Sequence, residues 1–247
     1  MPYADLPRSR IYYEEAGSGY PLLALAPGGL ESQMHYWGER KDGSPRNFPN
    51  PIPELAKHFR VITLDQRNAG RSTGTITADD GWHTYAADHL ALMDHLGISR
   101  FHVIGACIGG PFGFKLCETA PERITAFVSQ ATIGFFNENR HLSYESFGTW
   151  LKGLLQRQPD VDLAALHAMK ERMYTGDFVY GISREFIQAS RTPLLVLAGA
   201  DNQHPRAVSE EIARLSPVAE FIGDWQGEGR GVFYLDTVRD FLARHTP

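Results

Sequence analysis

Gly105-Ala106-Cys107-Ile108-Gly109-Gly110 carries the most chemistry of any stretch in this 247-residue chain. It follows an apolar run, Phe101 to Ala106, and opens an amphipathic one, Ile108 to Thr119. The pattern reads as strand, sharp turn, helix, with a thiol at the tip. Glycines two positions either side of Cys107 relieve the crowding of such a turn. The turn seats the sulfur at a helix N-terminus, where free N–H groups and the macrodipole favour the nucleophilic thiolate. A free cysteine elsewhere is a small buried apolar residue; the glycine flanks and the strand–helix context point instead to a nucleophile. The second cysteine, Cys117, lies ten positions on, a spacing that forms no metal or redox motif.

The elements around Cys107 alternate in type. Apolar runs at Arg10 to Glu15, Pro21 to Ala26, Arg60 to Leu64, Phe101 to Ala106, Ile124 to Ala131, Leu194 to Ala198 and Val218 to Ile222 read as strands. Arg10 to Glu15 is expected at the sheet edge. Trp82 to Leu96, Pro205 to Leu215 and Phe233 to Arg244 read as helices. Such alternation marks a mainly parallel sheet with helices on both faces. From Gly134 to Ser190 it breaks: helical patterns there carry Phe135, Phe136, Tyr144, Phe147, Trp150, Tyr174, Phe178, Tyr180 and Phe186. A structureless loop of that length is implausible, so the segment is expected to be a helical cap that packs on the core and lends an apolar pocket. A (β/α)₈ barrel fits the length but not this interruption.

A hydrophobic content of 43% suits a soluble globule. A formal charge of −5 and a pI near 6.1 argue against nucleic acid or an anionic membrane surface as partner. No apolar run spans a bilayer, and Met1 to Arg10 does not read as a secretory signal. A reduced, cytoplasmic setting is expected. No zinc-type ligand spacing, phosphate loop or dinucleotide fingerprint occurs, so neither a metal nor an organic cofactor is expected. The expected partner is a small-molecule substrate; a homodimer is left open.

Together these features resemble the α/β-hydrolase superfamily, over nearly the whole chain. The resemblance rests on Ala26-Pro27-Gly28-Gly29 after an early strand, Asp65-Gln66-Arg67-Asn68-Ala69-Gly70-Arg71-Ser72 after the next, the Cys107 turn, the position of the cap, and Leu197-Ala198-Gly199-Ala200-Asp201 at the end of a late strand. A cysteine at this turn with Gly-Gly after it is similar to the arrangement in dienelactone hydrolases. The implied architecture is an α/β-hydrolase core over 1–133 and 191–247 with a helical cap over 134–190. The resemblance also implies an oxyanion hole from the backbone N–H of Ile108 and of Gly29, with Leu30 the adjacent alternative. It places the family's acid at Asp201, which an Asx turn would explain equally well.

The family's catalytic histidine follows the last strand, and Gly223-Asp224-Trp225-Gln226-Gly227-Glu228-Gly229 contains none. His204 shares the acid loop with Asp201 and is the first substitute. Pro205 reads as the first helical residue, which puts His204 at the N-cap, a position histidine fills poorly. His35, after the glycine turn, and His141, at the head of the cap, are further candidates, as is Glu31. His83 and His102 read as structural. Leu30, His35, His141 and Trp150 are expected to line the substrate pocket. Arg67 and Arg71 read as loop salt bridges sooner than as substrate contacts.

The leading expectation is a cysteine-dependent enzyme. It would act on a small apolar ester, lactone or thioester through an acyl-Cys intermediate, with Cys107, His204 and Asp201 catalytic. The missing histidine motivates two others: a lyase, isomerase or acyl transferase on the same fold, or a catalytically silent binding module.

Overall fold

The structure, a computed structural model, describes residues 2–247. Among them nine strands form one sheet: β1 Tyr3–Leu6, β2 Ser9–Ala16, β3 Tyr20–Leu25, β4 Phe59–Leu64, β5 Thr73–Gly74, β6 Phe101–Ala106, β7 Ile124–Gln130, β8 Leu194–Leu197 and β9 Ala219–Ile222. Their order is β1-β2-β4-β3-β6-β7-β8-β9, with β5 paired on β2. From β4 to β9 every pairing is parallel; β1, β2 and β5 pair antiparallel. The strand expected at the edge is therefore internal: β2 extends over Ser9–Ala16 and has β1 outside it. The short β1 and β5 are too brief to show a period in the sequence.

The helices are α1 Ile52–Leu55, α2 Trp82–His95, α3 Gly109–Thr119, α4 Arg140–Arg157, α5 Leu163–Met173, α6 Arg184–Ala189, α7 Arg206–Leu215 and α8 Gly231–Arg244. The strands β6 and β7 are buried along their whole length, as parallel strands covered on both faces are. Successive side chains point to opposite faces. Leu23, Leu25, Val103 and Val196 join one apolar cluster, under α2, α3 and α7. Leu22, Ala24, Ile104 and Leu195 join the other, under α8.

The helices α4, α5 and α6 fill the interval between β7 and β8. Asp162 caps α5 by accepting from the Ala164 and Ala165 N–H groups, and Ser183 caps α6 by accepting from Phe186. Phe147, Trp150, Leu154, Leu166 and Met169 of this insertion belong to the same cluster as Leu30, Trp82 and Phe112, so it shares a core with the sheet domain.

Candidate active site

Parallel neighbours β3 and β6 set the site. Leu25 lies opposite Gly105, yet the chain leaves β3 for β4 on one side of it and returns to β6 on the other. Loops at the carboxyl ends of such a strand pair diverge and leave a crevice. Cys107 is the first residue past β6 and Gly28 lies just past β3, so the crevice brings them together. Cys107 has φ +57°, a left-handed conformation costing roughly 1–2 kcal/mol for a residue with a side chain. The neighbours hold it there. Its N–H donates to the Gln130 carbonyl at 3.0 Å, and its carbonyl accepts from Gly110 at 3.1 Å and Ile133 at 3.3 Å. A Cβ on Gly105 would sit 2.1 Å from the Gly109 oxygen, and one on Gly109 2.2 Å from the Leu25 oxygen. Only glycine fits at either flank of the turn.

The backbone N–H groups of Gly28 and Ile108 favour the Cys107 thiolate. Ile108 and Gly29 are the two donors expected for an oxyanion, and Gly28 precedes Gly29 in the same turn, with φ +127° at Gly28 and +64° at Gly29. Gly29 lies on the cleft wall, where an added Cβ would meet Ser146 Oγ.

The third part of the site comes from the loop after β8. The His204 ring acts electrostatically on the Cys107 thiol, and its Nδ1 lies 2.9 Å and 3.0 Å from the two Asp201 carboxylate oxygens. The same carboxylate accepts the backbone N–H of Gln203 at 2.9 Å and of His204 at 2.8 Å. One short loop thus holds both acid and imidazole. Pro205, not His204, is the residue before the first turn of α7, which frees the histidine to point at Cys107. The His204 side chain is 19% exposed and that of Asp201 64%, so the acid touches solvent while the ring is shielded.

Charge follows from this geometry. Burial pushes the Cys107 thiol up, but the His204 charge and hydrogen bond, with the Gly28 and Ile108 N–H groups, outweigh it and bring it down to about 7. Burial pushes His204 down; the Cys107 thiolate and the Asp201 hydrogen bond outweigh that and raise it to about 10. Its bond to His204 holds Asp201 down to about 2, against burial. The Cys107 and His204 shifts both run in the direction that favours a thiolate beside an imidazolium. Cys117 has no such partner, and burial pushes it up to about 12.

Four residues expected in the pocket lie elsewhere. Leu30 is 1% exposed within the core cluster. His35 is turned outward, stacked on Tyr36 at a centroid distance of 4.3 Å and 3.9 Å from Glu39, because its turn buries Tyr36 and Trp37 instead. His141 is exposed, with Nδ1 bonded to the Glu138 carbonyl at 2.8 Å; it lines a neighbouring groove on the outer side of Asp201. Trp150 is fully buried and donates from Nε1 to the Asn68 carbonyl at 3.2 Å. Glu31 pairs with Lys41. Arg67 is held by Asp88 at 2.6 Å and Arg71 by Asp65 at 2.8 Å, so neither is free for a ligand. In the histidine-free loop after β9, Trp225 is fully buried and its Nε1 donates to the Ala198 carbonyl at 2.7 Å.

Beside Cys107 and His204 opens a cleft of about 620 Å³, large enough for a small ligand. Sequence reasoning missed much of its wall: Arg46, Asn47, Gln130, Ser146 and Gln226. Of these only Gln130 carried a signal, as the last residue of a buried strand level with the thiol turn. Among the described residues no group of three or more His, Cys, Asp or Glu side chains is arranged to hold a metal. No helix among them is long and apolar enough to cross a membrane.

Comparison with known proteins gives this site a family. The protein of Caulobacter sp. (strain K31) named "Putative carbamate hydrolase RutD" is 31% identical over 225 residues, covering 76% of this chain and 80% of its own. One of the same name from Pseudomonas savastanoi pv. phaseolicola is 27% identical over 182 residues, 74% of this chain and 63% of its own. For that relative, and for one from Agrobacterium fabrum matched over 37% of its length, the match spans less than two thirds of the protein. Among solved structures, the enol-lactonase from Burkholderia xenovorans LB400 superposes with a TM-score of 0.70 at 20% identity, over 98% of this chain and 100% of its own. The meta-cleavage product hydrolase CumD from Pseudomonas fluorescens IP01 superposes at 0.71 with 17% identity, over 98% and 97%. At those identities the likeness is one of fold. The profile described as alpha/beta hydrolase fold matches residues 21–181, which takes in the glycine turn and the cysteine turn and stops before Asp201 and His204. On the strength of that match, the chain belongs to the alpha/beta hydrolase fold family.

Proposed function

We propose that the protein is a hydrolase of small acyl compounds, an ester, lactone or thioester, that works through an acyl-Cys107 intermediate. The observation that carries this reading is the His204 ring, hydrogen-bonded to Asp201 on the cleft that also holds Cys107 and Gly28, where its charge favours the Cys107 thiolate. The Cys107 thiolate attacks the carbonyl carbon. The carbonyl oxygen takes the electron pair and is held by Gly28 and Ile108; one such donor is worth roughly 3–4 kcal/mol in the transition state. Collapse expels the alcohol or thiol, which takes the proton from the His204 imidazolium. Neutral His204 then accepts a proton from water as the water attacks the thioester carbonyl, and collapse breaks the C–S bond, releasing the acid and restoring the Cys107 thiolate beside the His204 imidazolium. Positioned proton transfer of this kind contributes roughly 10²–10⁴ in rate. Relatives named for carbamate hydrolysis support a related substrate, since a carbamate presents the same carbonyl to a thiolate.

Lyase, isomerase or transferase chemistry was motivated by the lack of a histidine after the last strand. His204 supplies an imidazole at the thiol from a different loop, and that favours hydrolysis. The test is intact-mass analysis during turnover of p-nitrophenyl acetate. His204→Ala should accumulate an acetyl group on Cys107, and Cys107→Ala should carry none and release no product above background. Full turnover by Cys107→Ala would refute the reading.

A further inference from the structure

Arg46 lines the cleft beside Cys107 and is only partly exposed. Its Nε donates to the Tyr36 carbonyl. Among the described residues its two terminal nitrogens have no hydrogen-bond partner, and no carboxylate lies within 4.0 Å of it. The other charges on the cleft wall are occupied or open to water. Lys41 pairs with Glu31, Arg40 donates to Ser44 and Pro45, and Asp42 accepts from Ser44. Asp201 is spent on His204, and Glu145 is exposed to solvent. Burial lowers Arg46 from its usual range and the Cys107 charge opposes that only in part; a guanidinium keeps its charge all the same.

A second unpartnered donor stands on the same wall. Gln130 is fully buried, and its Oε1 accepts the Tyr234 hydroxyl at 2.7 Å. Its Nε2 is buried and has no partner, and its backbone carbonyl accepts the Cys107 N–H.

We propose that the substrate carries a carboxylate at the end remote from its scissile carbonyl and that Arg46 receives this carboxylate. A guanidinium with free terminal nitrogens matches a carboxylate in two parallel bonds. This rests on the acyl-hydrolase reading, and the experiment separates the two. Hydrolysis of p-nitrophenyl hydrogen glutarate is compared with that of p-nitrophenyl pentanoate, its neutral counterpart of similar size, in the wild type, Arg46→Gln and Arg46→Lys. The ratio of kcat/KM, acid ester over neutral ester, should fall by roughly 10- to 100-fold in Arg46→Gln and by less in Arg46→Lys. A ratio that is the same in all three proteins overturns the proposal while leaving the hydrolase reading intact. If neither ester is hydrolysed, the hydrolase reading fails, and the anion site is read by protection of Cys107 from iodoacetamide. Free glutarate should protect the wild type and glutaramide should not, with protection lost in Arg46→Gln; no protection by glutarate would overturn the proposal.

Discussion

In the proposed mechanism Cys107 owes its reactivity to two residues the chain places nearly a hundred positions away. A buried thiol alone is inert, as Cys117 shows, pushed up to about 12 by burial with no imidazole beside it. At Cys107 the His204 imidazolium reverses the sign of the shift. The pH dependence follows. Acylation needs the thiolate, so kcat/KM should rise through about 7, where Cys107 loses its proton. It should fall again through about 10, where His204 loses the proton destined for the leaving group. A pH–rate profile with a plateau between these limits is the expected outcome; a single rise near the ordinary thiol value would contradict it. The sharp turn at Cys107 is legible in the sequence because its requirements are local: glycines on both sides, a strand before, a helix after. The outward turn of His35 was not, because the packing of Tyr36 and Trp37 decides it.

Among the elements, the loop after β8 is the least typical. Acid and imidazole come from Asp201 and His204, three positions apart, while Trp225 packs into the core where a histidine was expected. Asn139 ties this loop to the insertion. Its Nδ2 donates to the Gly134 and Asn202 carbonyls, both at 3.0 Å, and its Oδ1 accepts from Phe136 at 3.1 Å. Asn139→Ala should therefore loosen the loop that carries His204. The expected result is a stability loss of roughly 1–3 kcal/mol in chemical denaturation, together with an upward move of the Cys107 titration. A stability loss without that move would limit Asn139 to a structural part. Long-range ties of this kind leave no spacing in the sequence, which is why Asn139 and Arg46 emerge only from the fold.

Over the whole molecule, one apolar cluster runs from the sheet into the insertion, and Trp150 lies at that junction, fully buried. The sequence showed the aromatic density of 134–190 but not which rings face the ligand, since helical spacing fits a core face and a pocket face alike. Trp150 serves the core. Trp150→Ala should cost roughly 3–5 kcal/mol in unfolding free energy and leave the Cys107 titration in the folded protein where it was. A loss of activity with unchanged stability would return Trp150 to the pocket wall.

The account depends most directly on a charged pair between Cys107 and His204. Its test is the rate of iodoacetamide alkylation against pH, in the wild type and in His204→Ala, with modification sites mapped by mass. Cys107 should react with a midpoint near 7 and Cys117 should stay unmodified. Removal of His204 should carry the Cys107 midpoint above the free-thiol value of about 8.5. A wild-type midpoint at the free-thiol value, unmoved by His204→Ala, would contradict the account.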